Sequence, residues 1–63
     1  MVPVQVKCLR TVADDEMVYA IKGKTYEVFL LSGDEILIET EDPDTVFPVY
    51  PDDEDFLILY EED

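Results

Sequence analysis

The chain contains no histidine and no tryptophan, and among its sixty-three residues there are one cysteine, two glycines and four bases. Each scarcity closes a route. Without histidine, the usual proton shuttle at neutral pH is missing. Cys8 stands alone, so it forms no internal disulfide, supplies no thiolate cluster and suits a reducing cytoplasm. It alternates with Val4 and Val6 and reads as a buried structural thiol. Gly23 and Gly33 are isolated, so no glycine-rich loop cradles a phosphate. Ser32 has no base near it in sequence. No apolar run approaches the roughly 20 residues that span a bilayer, and the N-terminus lacks the basic-then-apolar pattern of a secretory signal. The expectation is a cytoplasmic, non-enzymatic protein without a cofactor.

Acid is abundant. Seventeen carboxylates against four bases give a formal charge of −13. Such a chain repels nucleic acid and anionic membranes, so neither is expected to be a direct partner. Tyr19, Tyr26, Tyr50 and Tyr60 do not build a base-stacking groove, because Lys7, Arg10, Lys22 and Lys24 cannot outweigh the acids. An apolar fraction of 48% nevertheless argues for a folded chain. The whole chain, 1–63, makes one domain near the lower size limit for a single core.

Residues 2–12, VPVQVKCLRTV, alternate with period two: Val2, Val4, Val6 and Cys8 lie on one face, Pro3, Gln5, Lys7 and Leu9 on the other. Pro3 lacks a backbone donor, which sets the strand's start at a sheet edge or outside the ladder. Residues 17–22 form a short strand or an arm packed by Val18 and Ile21. Lys22-Gly23-Lys24 is a turn, and TYEVFLL (25–31) and EILIET (35–40) form a hairpin around Ser32-Gly33-Asp34. VFPVY (46–50), interrupted by Pro48, is an edge strand, and FLILY (56–60) is the last. Helical periodicity is absent. The pattern predicts an all-β fold, a small five-stranded antiparallel barrel.

The segments VKCL (6–9), IKGKTYEV (21–28) and GDEILI (33–38) resemble small SH3-like barrel proteins of Firmicutes and their phages, a group of uncharacterised accessory proteins. The resemblance covers about the first 40 residues. It implies an SH3-like barrel in which the glycine makes the turn and Tyr26 and Val28 enter the interior. It also implies a phage or prophage origin. It defines no functional residue.

Alternation puts Tyr26, Val28 and Leu30 inside, with Ile36, Ile38, Phe56, Ile58 and Tyr60. That leaves Phe29, Leu31, Leu37, Leu57 and Leu59 on faces that one small barrel cannot bury. A second mini-core, a homodimer surface and a docking patch each account for them. Glu27, Glu35, Glu39 and Glu41 share those faces, and the blocks Asp52, Asp53, Glu54, Asp55 and Glu61 to Asp63 flank the last strand. Alternate strand positions lie about 6.6–7 Å apart, comparable to successive phosphates of a nucleic-acid strand. Acidity alone also serves solubility or salt adaptation. Asp42-Pro43-Asp44 and Asp52 to Asp55 offer hard oxygen ligands, but neither has calcium-loop spacing, so no metal site is predicted. The expected function is a small acidic protein-binding module, a phage accessory factor that occupies a basic host protein by mimicking DNA. A homodimeric structural module is the alternative.

Self-repulsion at this charge predicts salt-dependent stability. The urea midpoint should rise when sodium chloride is added at neutral pH, and a midpoint insensitive to salt would contradict it.

Overall fold

In the computed structural model, residues 2–61 are described. Glu62 and Asp63 of the acidic tail lie outside the described residues. Seven strands run in chain order: β1 (Pro3–Cys8), β2 (Val12–Ala13), β3 (Val18–Ala20), β4 (Thr25–Ser32), β5 (Glu35–Glu39), β6 (Val46–Val49) and β7 (Phe56–Tyr60). They form two antiparallel sheets. Five strands lie in the order β6-β5-β4-β1-β7, and β2 and β3 make a separate ribbon. The fold is all-β, as the alternation predicts. The expected five strands are joined by that ribbon, and among the described residues no strand pair closes the large sheet into a barrel.

Two glycines set the turns. Lys24 N–H donates to Ile21 O at 3.0 Å around Gly23, whose φ of 91° is that of the third residue of a type II turn. The β4–β5 hairpin closes with Ser32 opposite Glu35. Gly33 there has a φ of 60°, and no other residue of the loop has positive φ. This is the type II′ pattern, whose twist matches the flanking strands.

Two bulges decide which side chains go inward. In β4, Val28 pairs with Ile38 but Leu30 pairs with Leu37 and Leu31 with Ile36. Phe29 is the extra residue. The tight turn fixes one register from Ser32 downward, while burial of Val28 beside Ile38 fixes another, and the mismatch of one residue is absorbed at Phe29. Strict alternation therefore fails: Leu30 faces outward with Leu37, and Leu31 returns to the side of Ile36. Leu30 is exposed because it faces outward, and Leu31 is exposed even though it pairs with buried Ile36.

The second bulge is in β1, between Pro3 and Gln5. It takes Val2 and Val4 out of the predicted inward row, and both are exposed. The β1–β4 pairing runs only from Gln5 to Lys7, so Tyr60, opposite Pro3, projects beyond it and is exposed rather than internal. Pro3 thus sits in a central strand, but past the last residue of β1 that β4 pairs. Pro48 does lie on an edge strand, as its missing donor requires.

The core is Val6, Cys8, Ala20, Tyr26, Ile36, Ile38, Val49 and Phe56, with Val12, Val28, Phe47 and Ile58 packed against it. Ala20, not Val18 or Ile21, is the buried residue of β3, and those two larger side chains are exposed. Phe47 stacks at a tilt between Tyr19 (5.5 Å) and Phe56 (6.1 Å), tying β3, β6 and β7 together through side chains alone. Cys8 is buried, with its Sγ 3.0 Å from Arg10 O.

Truncating Ile38 to alanine should destabilise the fold by about 2–5 kcal/mol, because the cavity would lie among fully buried neighbours. Phe29→Ala, at a residue that is 64% exposed, should shift the urea midpoint far less. Equal losses for the two would contradict this core.

Candidate interaction surface

Residues paired across antiparallel strands point to the same side, so the register maps the sheet's outer face. One row runs Leu30–Leu37–Pro48 across β4, β5 and β6. One step toward the turn lie Ser32 and Glu35, beside Tyr50, whose hydroxyl donates to Glu35 Oε2 at 3.0 Å. One step the other way lies Glu39, opposite Val46. Glu27 is next to Glu39, one position past the Val28–Ile38 pair. The apolar row is bounded by carboxylates at both ends.

Farther along the same face, Glu27 and Leu59 both pair with Gln5, and Thr25 and Leu57 both pair with Lys7. The structure thus separates the predicted apolar set into two patches, with Gln5 and Lys7 between them. Leu57 is exposed, and Leu37 and Leu59 are half-buried. Phe29 protrudes at its bulge, and Leu31 lies on the opposite side. Leu30 and Pro48 belong to the first patch and are missed by alternation alone. The signal for Leu30 is present in the sequence: an unbroken hairpin from the Gly33-Asp34 turn would set Val28 against Glu39, a conflict that only a bulge removes.

Glu41 differs from the other predicted acids. It lies past the end of β5, and its backbone N–H donates to Tyr19 O at 2.9 Å. Its carboxylate meets Lys24 Nζ at 2.8 Å and accepts from the Tyr26 hydroxyl at 2.5 Å. The same hydroxyl accepts from Ile21 N–H at 2.8 Å. This small network joins the ribbon, the start of β4 and the β5–β6 loop. Lys24 first, and Tyr26 second, hold the Glu41 carboxyl below its ordinary value of 4.5. Burial, then the bond to Glu41, pushes the Tyr26 phenol above 10.0. Glu41 therefore does not continue the evenly spaced series predicted with Glu39.

Several other acids organise turns. Asp42 Oδ1 accepts from Asp44 N–H at 3.0 Å and Asp42 Oδ2 from the Thr45 hydroxyl at 3.0 Å. Asp14 Oδ1 caps the N–H groups of Glu16 and Met17, and Asp14 Oδ2 accepts from Tyr19 at 2.7 Å, which lowers its pKa and raises that of Tyr19. In the block before β7, Asp53 Oδ1 accepts from Asp55 N–H at 2.9 Å, and Asp55 lies 4.0 Å from exposed Arg10. Asp52 and Glu54 are exposed. Among the described residues no three potential metal ligands converge and no pocket opens. Among the described residues no helix is long and apolar enough to cross a membrane.

Comparison of the chain with known protein families, curated proteins and solved structures finds no match.

A lowered pKa stabilises the fold above the ordinary glutamate value, and that contribution is lost as pH falls through the folded-state value. Lys24→Met and Tyr26→Phe should each raise the Glu41 titration midpoint toward 4.5, read by NMR of its carboxyl carbon. A midpoint unmoved in both variants would contradict the network.

Proposed function

We propose that this protein is a small acidic protein-binding module whose outer sheet face docks a basic surface of a partner. The fold supports an SH3-like arrangement. Setting the ribbon aside, the strands make a meander whose last member returns beside the first. The rings of Phe47 in β6 and Phe56 in β7 lie 6.1 Å apart although the two edge strands do not pair, a side-chain contact that an incompletely closed barrel would also make. With the sequence resemblance, this fits a phage or prophage accessory factor acting in the host cytoplasm.

The observation that carries the reading is the row Leu30–Leu37–Pro48 between carboxylates. Leu30 is 53% exposed, next to protruding Phe29. Glu27 and Glu39 lie side by side on adjacent strands, where like charges destabilise each other. A lysine or arginine set between them relieves that repulsion while the leucines bury apolar area. A surface that ordinarily holds nucleic acid is rich in such side chains, which is the sense in which the acids imitate DNA. A homodimer through this face would bring two copies of a −13 chain together, so opposite charge is the better fit for an occupant.

The test is quantitative capture from host lysate across a salt series, using the native chain, Leu30→Ser and the double variant Glu27→Gln/Glu39→Gln. The native chain should retain a basic protein at low salt and release it as salt rises. Leu30→Ser should weaken retention by about tenfold, from about 1–1.5 kcal/mol of lost burial. The double variant should flatten the salt dependence and leave the fold at least as stable. No retained basic protein at low salt, or retention indifferent to both variants, would overturn the reading.

A further inference from the structure

The large sheet has two edges, and they are built differently. β6 is four residues long and carries Pro48, which has no N–H to offer an added strand. β7, Phe56-Leu57-Ile58-Leu59-Tyr60, contains neither proline nor charge, and among the described residues no strand pairs with its second side. The hydrogen bonds at its ends show which backbone groups face outward. Leu9 N–H donates to Asp55 O at 2.8 Å, and Cys8 N–H donates away from β7, to Lys24 O at 2.9 Å. Since Cys8 is paired with Phe56, that pair does not exchange bonds, and the same holds two residues on for Val6 and Ile58. Beyond the β1 bulge, Glu61 N–H donates to Val2 O at 3.0 Å, so Tyr60 also turns its backbone away from β1. The N–H and C=O groups of Phe56, Ile58 and Tyr60 therefore point to the open side, at the alternate spacing that an added strand requires.

Charge selects the occupant. Asp52, Asp53, Glu54 and Asp55 precede the edge, and Glu61 follows it, with Glu62 and Asp63 next in sequence. If a second copy paired along β7 in antiparallel fashion, the block before one strand would lie against the acids after the other. In parallel fashion, like blocks would stack. Either way, carboxylates meet carboxylates. We infer that the β7 edge accepts an extended segment of a basic partner protein, with β-forming residues at its centre and lysine or arginine at both ends, and that its flanking acids exclude a second copy of this chain. This rests on the partner-binding reading above and names a second contact on the same partner class, made by backbone rather than by the outer leucines.

The test uses full-length protein labelled for NMR and a short peptide of alternating valine and threonine with lysines at both ends. Three further peptides serve as controls: one with glutamates replacing the lysines, one with N-methyl groups on alternate amides, and one with the methyl groups on the other set. The basic peptide should bind and slow hydrogen exchange at the amides of Phe56, Ile58 and Tyr60. One methylated peptide should lose at least about tenfold in affinity while the other keeps it, because only alternate amides face the edge. The acidic peptide should not bind. Equal affinity for both methylated peptides, protection elsewhere, or binding of the acidic peptide would overturn the inference. Leu30→Ser separates it from the broader reading: peptide binding at β7 should be unchanged by that substitution, whereas lysate capture depends on it.

Discussion

The register of β4 against β5 is the constraint on which the rest of the molecule depends. A two-residue turn at Gly33-Asp34 and the pairing of Val28 with fully buried Ile38 demand registers that differ by one residue. A strand cannot satisfy both without a bulge, and Phe29 is where the chain gives way. Above that point the hairpin presents Leu30 and Leu37 outward. Below it Tyr26 and Val28 turn into the core. The apolar outer row is therefore a consequence of reconciling a favourable turn with a favourable core in a chain too short for two interiors.

Tyr26 extends the same logic to the ribbon. Its ring is part of the core, and its hydroxyl bonds to both Ile21 N–H and Glu41. One buried side chain thus attaches β3 and the β5–β6 loop to the main sheet. Glu41 and Lys24 complete that junction, which withdraws one carboxylate from the surface charge. Several other acids cap turns, including Asp14, Asp42 and Asp53. Four of those without such a task lie beside apolar groups: Glu27 and Glu39 by Leu30 and Leu37, and Asp52 and Glu54 ahead of β7. Charge of one sign beside these groups favours the approach of opposite charge.

The strand content, the two glycine turns, the edge position of Pro48 and most of the core were legible in the sequence. Val6, Cys8, Ile36, Ile38 and Phe56 follow from alternation because those strands are regular where they are buried. Alternation failed at Val2, Val4, Leu30 and Tyr60, all at or beyond a bulge or past the end of a pairing. VFLL in β4 is apolar throughout, so its pattern gives no parity, and the parity comes from the turn and the opposing strand instead. Ala20 is buried in a strand of three residues, too short for alternation to mark its inward position. The outer surface was partly legible. Its acids and leucines are apparent from composition, but their division into two patches depends on strand order, which places β1 between β4 and β7.

On the proposed reading, this sheet keeps an apolar outer row and an open edge free in the isolated protein, available to an oppositely charged partner. Sedimentation velocity in low salt at neutral pH, over a wide range of concentrations, tests it most directly. The account predicts a monomer throughout, with association appearing only as the carboxylates are neutralised toward the isoelectric point near 4.1. A concentration-independent dimer at neutral pH and low salt would contradict it, because the face and the edge would already be occupied by a second copy of the chain.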